Sequence, residues 1–129
     1  MNDMHALIID DAYINIEVLG LLLVNMGVNY TGVISARDIE PVLAKLGQVD
    51  LVFLDLEIPN SGPYKKTLDQ LRQMPEFEGV PFIAYTVHTE KAEEALRAGF
   101  DHFLGKPLKA NQFPGQLRRI LNNEKVWDY

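Results

Sequence analysis

Several features are scarce in this sequence of 129 residues, and each scarcity excludes a class of protein. There is no cysteine, which excludes disulfides, thiol redox chemistry and zinc sites built from cysteine. Basic residues are fewer than acidic ones and the formal net charge is -6, which gives no electrostatic support for binding nucleic acid. The apolar run nearest the N-terminus, residues 6–9, is too short for a signal peptide or a membrane helix. We therefore expect a cytoplasmic protein that binds neither nucleic acid nor a membrane.

Short apolar runs alternate with longer helical patterns five times along the chain. The runs predict strands at His5–Ile9, Asn29–Ile34, Leu51–Leu54, Pro81–Tyr85 and His102–Leu104. The longer patterns predict helices at about 12–26, 36–46, 64–73, 90–98 and 110–123. The first, third and fourth runs are apolar almost throughout, which is typical of strands buried on both faces of a parallel sheet.

This alternation predicts an α/β fold. Consecutive βα units favour a doubly wound, five-stranded parallel sheet in the order 2-1-3-4-5, with five helices in a flavodoxin-like three-layer arrangement. Right-handed crossovers place the helices on both faces of the sheet. We expect a single domain over residues 1–129, with a core at 5–123, a short C-terminal tail at 124–129 and no output domain.

Polar side chains follow the predicted strands where the strands end. Asp10 and Asp11 follow the first run, and Asp55 follows the third. Thr86 follows the fourth run and Lys106 the fifth. Because ligands bind at the carboxyl ends of the strands in an open parallel sheet, we expect these side chains to share one pocket. Three carboxylates, a hydroxyl and an ammonium group suit a divalent cation together with a phosphoryl group.

This set of groups predicts phosphoryl transfer onto an aspartate. Oxygen ligands alone favour a hard ion such as Mg²⁺, which binds few carboxylates and keeps several waters. Thr86 can donate a hydrogen bond to one phosphoryl oxygen, and Lys106 can pair with another. Catalysis is then mainly positioning and charge neutralisation. Taken singly, each residue has a plainer explanation, since an aspartate can cap a helix and the others fit ordinary loops.

Four segments at these strand ends resemble the receiver domains of bacterial two-component response regulators. The segments are Ile-Ile-Asp-Asp at 8–11, Leu-Asp-Leu-Glu-Ile-Pro at 54–59, Ala-Tyr-Thr at 84–86 and Ala-Gly-Phe-Asp-His-Phe-Leu-Gly-Lys-Pro at 98–107. The resemblance covers about residues 5–123, and we expect a stand-alone, single-domain member of the family.

The resemblance assigns a role to each acidic residue. It implies that Asp55 is the phosphoacceptor. It also implies that Asp11 and Asp55 bind Mg²⁺ directly, together with the backbone carbonyl of Glu57. Asp10 is expected to act on the cation mostly through water.

The family also implies a switch and a backbone feature. Thr86 is expected to move toward the phosphoryl group while the ring of Phe103 turns inward behind it. Lys106 is expected to assist phosphorylation, and the Lys106–Pro107 bond is expected to be cis. Two departures from the family pattern stand near the site: Gly62 comes one residue early in the loop after Asp55, and Val87 replaces the usual Ala or Gly.

The function that the resemblance implies is that of a single-domain response regulator in a two-component or phosphorelay system. It would take a phosphoryl group from a histidine kinase or a histidine phosphotransfer protein and then change its binding to a downstream protein that the sequence does not name. It would not be an enzyme with a separate substrate, although it would assist its own phosphorylation and dephosphorylation. We expect a monomer or a weak dimer.

Other functions remain open. The chain could be a relay intermediate that passes its phosphoryl group to a histidine elsewhere, or a degenerate receiver that binds partners without phosphorylation. A flavodoxin-like FMN or nucleotide carrier is disfavoured because the first βα loop, Asp-Asp-Ala-Tyr, repels phosphate. An aspartyl phosphatase fits only through the acid pair after the first strand.

The first predicted helix is apolar on nearly every side and carries no Lys or Arg. One apolar stripe is predicted to pack on the sheet: Ile14, Val18, Leu21 and Leu22. Further apolar residues extend around the helix, and we expect Ile16, Leu19 and Leu23 to remain exposed. An exposed apolar patch often marks a partner surface, so we expect the kinase or phosphotransfer protein to dock there, with a homodimer contact as the rival.

Overall fold

The computed structural model of the protein describes residues 4–59 and 62–129. In these residues the strands are β1 (His5–Ile9), β2 (Asn29–Val33), β3 (Leu51–Asp55), β4 (Phe82–Thr86), β5 (His102–Gly105) and β6 (Trp127–Asp128). The α-helices there are α1 (Tyr13–Val24), α2 (Ile39–Leu46), α3 (Tyr64–Arg72), α4 (Ala92–Ala98) and α5 (Phe113–Leu121). The strands form one sheet in the order β2-β1-β3-β4-β5-β6, and each neighbouring pair is parallel.

The predicted fold class is confirmed, and so is the order 2-1-3-4-5 for the first five strands. The prediction is incomplete at the C-terminus, because the tail contributes β6 and widens the sheet to six strands within the described residues. The bounds of the five predicted strands differ from the observed ones by no more than one residue at any end. The fifth helix begins at Phe113, later than predicted, and Pro114 lies in its first turn, where a missing N–H is tolerated.

Two apolar layers enclose the sheet, one on each face. Alternate side chains of a strand point to opposite faces, so β1, β3 and β4 supply both layers and are buried along almost their whole length. The layer that includes α1 and α5 contains Ile8, Phe53, Tyr85 and Leu104. The layer on the other face contains Leu7, Leu54, Ala84 and Phe103. Among the described residues, no helix has both the length and the apolar character needed to cross a bilayer.

The predicted orientation of α1 is wrong. Ile16, Leu19 and Leu23 are 6%, 1% and 0% exposed and pack in the core, so they do not form a docking surface. Gly20 is buried on the same side, and a Cβ built there would lie 2.3 Å from the ring of Tyr30 on β2. The glycine therefore lets this side of the helix approach the sheet closely.

The solvent side of α1 is itself apolar. Its exposed large apolar residues are Tyr13, Ile14, Val18, Leu21 and Val24. Tyr13, Ile14 and Leu21 are each about two-thirds exposed, at 68%, 67% and 65%. An apolar surface on α1 is thus present, but it lies on the opposite side of the helix from the predicted one.

Close packing of α1 on β2 gives a stability prediction. A Cβ built on Gly32 of β2 would lie 2.4 Å from Cγ2 of the buried Ile16, so Gly32→Ala should lower the free energy of unfolding by about 1–3 kcal/mol. Gly115 of α5 has no such neighbour within 4 Å, and Gly115→Ala should raise that free energy by about 0.5–1 kcal/mol. Urea unfolding of the two variants and the wild type measures both effects. Equal stability of Gly32→Ala and the wild type would contradict the packing.

Candidate functional site

Three carboxylates meet at the carboxyl edge of the sheet. Asp10, Asp11 and Asp55 each offer an oxygen, and these oxygens lie within 4.8 Å of one another. β1 and β3 are neighbours in the sheet, so residues at their ends lie side by side. Asp10 and Asp55 are 0% and 5% exposed, whereas Asp11 is exposed. The structure therefore brings together the three acids that the sequence places at strand ends.

Lys106 lies between two of these acids. Its ammonium nitrogen is 2.9 Å from Oδ2 of Asp10 and 3.4 Å from Oδ2 of Asp55. The Lys106–Pro107 peptide bond is cis, as the resemblance implied. Two buried carboxylates this close repel each other, and a cation between them offsets part of that repulsion and of the cost of removing them from water.

Asp10 accepts hydrogen bonds on both carboxylate oxygens. The Ala12 N–H donates to Oδ1 at 2.9 Å. The Tyr85 hydroxyl and the Lys106 ammonium donate to Oδ2 at 2.7 Å and 2.9 Å. Burial alone would raise the pKa of Asp10, but these hydrogen bonds and the charge of Lys106 together lower it. Asp10 is therefore a fixed, ionised anion.

Asp55 has a different environment. Its Oδ1 accepts a hydrogen bond from the Glu57 N–H at 3.1 Å, while Oδ2 faces Lys106. Burial raises the pKa of Asp55, and the nearby charge of Asp10 acts in the same direction, although Lys106 opposes both. Asp55 thus makes fewer fixed contacts than Asp10, which leaves its carboxylate more available for reaction.

Tyr85 is the site residue that the sequence reasoning missed. Its side chain is 1% exposed, its hydroxyl binds Asp10, and its ring centre is 4.3 Å from the ammonium nitrogen of Lys106. Burial, followed by the charge of Asp10, strongly raises the pKa of Tyr85, so the hydroxyl remains a donor. Because Tyr85 ends an apolar run, the sequence pattern predicts an ordinary core residue at this position. The available signal was that a buried tyrosine hydroxyl needs a hydrogen-bond partner, and Tyr85 ends its apolar run at the edge of the sheet where the acids were expected.

Thr86 and Phe103 lie on adjacent strands. Thr86 is fully buried, and its hydroxyl oxygen accepts a hydrogen bond from the His88 N–H at 3.0 Å. Phe103 is also fully buried, one strand farther from the acids, where Ala84 of β4 pairs with it. The structure places the two as neighbours in the sheet, and their role as a switch stays a prediction.

Glu57 borders the acids through its backbone. Its N–H binds Asp55, and its side chain forms an ion pair with Lys91. The hydrogen bond from Lys91 to Glu57 raises the pKa of that lysine. The predicted use of the Glu57 carbonyl as a metal ligand stays a prediction.

The chemistry of the acid cluster fits a hard divalent cation. All the nearby ligand atoms are oxygens, and the carboxylates are close enough to share one ion. Asp11, the exposed member, leaves a route from solvent. Asp10 already accepts three hydrogen bonds, which limits its capacity for direct coordination. The cluster could therefore hold a metal ion chiefly through Asp11 and Asp55.

A mostly apolar cleft of about 280 Å³ adjoins Lys106. Val18 of α1, Tyr85 and Val87 line it together with Pro107. Val87 is 62% exposed, so its branched side chain extends into solvent at this cleft. The apolar side of α1 and the site thus form one continuous surface.

The Tyr85–Asp10 hydrogen bond gives a pH-dependent stability prediction. Tyr85→Phe removes a donor from a buried carboxylate and should lower the free energy of unfolding by about 1.5–3 kcal/mol at pH 7. Because the folded pKa of Asp10 is lowered, its stabilisation exists above the unfolded-state pKa of about 3.9 and is lost as the pH falls through the folded pKa.

The difference in stability between wild type and Tyr85→Phe should therefore shrink at acid pH. Urea unfolding at pH 7 and at several pH values from about 4 down to about 2 measures it. Tyr64→Phe, which removes a partly exposed hydroxyl bound to Glu94, is the matched control and should cost less. A Tyr85→Phe effect that stays constant down to about pH 2 would show that the ionised Asp10 is not the partner of the Tyr85 hydroxyl.

Comparison with known proteins gives a family. The model of the response regulator receiver domain matches residues 6–118. The chain is 26% identical over 126 residues to the aerobic respiration control sensor protein ArcB of Escherichia coli (strain K12), which covers 97% of this chain and 15% of ArcB. It is 24% identical over 115 residues to two-component response regulator 24 of Arabidopsis thaliana, which covers 89% of this chain and 82% of that protein.

The fold comparison agrees with the sequence comparison. The response regulator receiver domain (CheY-like) from Methylobacillus flagellatus matches with a TM-score of 0.78 and 28% identity, covering 92% of this chain and 99% of that one. The chain spans less than a sixth of ArcB, so what ArcB does as a whole protein does not carry over. Since the receiver-domain model matches most of the sequence and the fold agrees, the chain belongs to the response regulator receiver domains.

Proposed function

We propose that this receiver domain accepts a phosphoryl group on Asp55 from a histidine kinase or a histidine phosphotransfer protein, and that the transfer changes which protein it binds. The observation that carries the proposal is the position of Lys106, within 3.4 Å of Asp55 and also paired with Asp10 beside an exposed third acid. Family membership supports two-component signalling as the setting.

In the proposed reaction, a carboxylate oxygen of Asp55 attacks the phosphorus of a phosphohistidine. An O–P bond forms, the P–N bond breaks, and the histidine leaves. The Glu57 N–H holds Oδ1 of Asp55, which fixes the carboxylate plane. Lys106 needs to move little to pair with a phosphoryl oxygen. When Lys106 moves, the Tyr85 hydroxyl still donates a hydrogen bond to the buried Asp10. Thr86 can donate to another phosphoryl oxygen by giving up its contact with His88.

Mg²⁺ fits the acid cluster as the metal. Asp11 and Asp55 would hold it together with the carbonyl of Glu57, and Asp10 would act through water. When bound, the ion supplies positive charge that offsets the charge of the phosphoryl oxygens. The exposure of Asp11 and the hydrogen bonds already made by Asp10 support this division of roles.

The phosphoryl group would stay on the chain, so the protein is proposed to be a phosphoacceptor that assists its own reaction, not an enzyme with a separate substrate. A relay intermediate would use the same residues. The degenerate alternative is not favoured, because Asp10, Asp55 and Lys106 form a complete ion-paired set.

The exposed apolar side of α1 is the proposed docking surface for the phosphoryl donor. The helix begins two residues after Asp11, and its Val18 lines the cleft beside Lys106. A donor bound to α1 would therefore have its phosphohistidine close to Asp55. Contact between two copies through the same apolar surface is the rival interpretation.

Phosphorylation of Asp55 is tested by intact mass. After incubation with Mg²⁺ and a small phosphoryl donor, the wild type should gain one phosphoryl group and Asp55→Asn none. Asp69→Asn, which removes an exposed carboxylate paired with Lys65, is the matched control and should react like the wild type. Chelation of Mg²⁺ should abolish the gain. A phosphoryl group on Asp55→Asn would refute the assignment, and so would a wild type that neither gains a phosphoryl group nor binds beryllofluoride with Mg²⁺.

Docking on α1 is tested with an autophosphorylated histidine kinase as donor. Leu21→Glu places a charge on the apolar side of α1 and should slow phosphoryl transfer from the kinase about tenfold, while phosphorylation from a small donor stays unchanged. Leu96→Glu changes an exposed leucine of α4 and should leave both rates unaltered. Equal slowing with both donors would mean that Leu21 acts on the site and not on docking.

A further inference from the structure

The chain after α5 returns along β5 and covers the outer edge of that strand. β6 pairs with β5 in parallel register and places Trp127 beside Phe103. The Phe103 N–H donates to the Val126 carbonyl at 2.9 Å, and the Val126 N–H donates to Nδ1 of His102 at 3.1 Å. Residues 126–129, here named the C-terminal strap, are thus hydrogen-bonded to the strand that carries Phe103.

Two aromatic rings of the strap enclose Phe103. The ring centres of Phe103 and Trp127 are 5.4 Å apart with a tilt of 32°, and those of Phe103 and Tyr129 are 5.6 Å apart at 81°. Both geometries are favourable for aromatic pairs. A Cβ built on Gly105 would lie 3.1 Å from Cβ of Tyr129, so the strap lies directly on the end of β5.

Polar contacts fasten the strap to α5. Oδ2 of Asp128 accepts from Arg119 at 2.7 Å and from Gln116 at 3.1 Å. The Lys125 ammonium nitrogen is 5.1 Å from the ring centre of Trp127. A partly exposed ion pair contributes little by itself, so the aromatic and backbone contacts hold the strap while Asp128 fixes its register.

The strap leaves Phe103 no room to turn outward. The ring is 0% exposed, with core residues on one side and the rings of Trp127 and Tyr129 against it. Close-packed interiors hold no spare volume for a second position, so Phe103 can leave only if the strap detaches.

We propose that Trp127 and Tyr129 are positioning residues for the Thr86–Phe103 switch. The docked strap covers the outer side of Phe103 and keeps its ring buried. An inward ring is the state expected with a phosphoryl group on Asp55, so covering the outer side favours that state. The inference rests on the proposed function, because the inward position has a consequence only if Asp55 is phosphorylated. Strap docking and phosphorylation then favour the same conformation.

Thermodynamic linkage makes this coupling reciprocal. If strap contacts raise the affinity of the site for a phosphoryl analogue by some factor, the bound analogue strengthens strap docking by the same factor. The strap therefore sets how readily the domain reaches its phosphorylated conformation. Loosening it should weaken binding at Asp55, although among the described residues no side-chain hydrogen bond or ion pair joins the strap to the acids.

Isothermal titration calorimetry with beryllofluoride and Mg²⁺ tests the coupling. Trp127→Ala/Tyr129→Ala should bind this phosphoryl analogue about fivefold or more weakly than the wild type. Leu121→Ala, which truncates an exposed leucine at the end of α5, is the control and should bind like the wild type. Equal affinity of the double variant and the wild type overturns the inference and leaves the proposed function standing. No binding by the wild type overturns both.

Trp127 also reports on the strap in the unaltered protein, because it is the only tryptophan in the sequence. Acrylamide should quench its fluorescence less when beryllofluoride and Mg²⁺ are bound. Unchanged or stronger quenching overturns the inference.

If far-UV circular dichroism shows that the double variant is unfolded, the ion pair of Asp128 provides a milder change. Arg119→Glu places two acids together and should weaken beryllofluoride binding, and Arg119→Glu/Asp128→Arg should restore it. Two outcomes contradict the coupling between the strap and Asp55. Either Arg119→Glu binds beryllofluoride as tightly as the wild type, or Arg119→Glu/Asp128→Arg does not restore an affinity that Arg119→Glu has lowered.

Discussion

A single ammonium group between two buried carboxylates is the interaction on which the carboxyl edge of the sheet depends. Removing a carboxylate from water costs several kcal/mol, and here two of them, Asp10 and Asp55, lie almost wholly out of solvent. Lys106 offsets this cost for both, and Tyr85 adds a hydrogen bond to Asp10. The result is a preorganised arrangement of charges at the end of an apolar sheet, which is what stabilisation of a phosphoryl group requires. The cis Lys106–Pro107 bond and the apolar layers on both faces of the sheet surround this arrangement of charges.

Most of the fold, and much of the site, could be predicted because both follow from where apolar runs stop. Strands buried on both faces must be apolar throughout, so β1, β3 and β4 are visible in the sequence to within one residue. Parallel strands end at the same edge, which is why Asp10, Asp55 and Lys106 come together although they are remote in sequence. Local composition and elementary topology are sufficient for these features.

The features that could not be predicted depend on contacts between remote parts of the chain. α1 is apolar around most of its circumference, so periodicity does not define its buried side. The observed side is the one on which Gly20 lets the helix pack closely on Tyr30. β6 has two residues and follows a polar segment, which gives no strand pattern, and β5 supplies the pairing that makes it a strand. Tyr85 has the composition of a core residue, and only the geometry shows that its hydroxyl reaches Asp10.

The covering of β5 has a further consequence, for the behaviour of the protein at high concentration. An apolar strand at the edge of a sheet presents unpaired backbone groups and invites strands from other molecules. Here β5 is His-Phe-Leu-Gly, and the strap places over it a strand of two residues that carries Asp128 and follows Lys125. A short, charged edge is a poor template for further pairing. The C-terminal strap, which encloses Phe103, thus also protects this edge of the sheet from pairing with strands of other molecules and from aggregation.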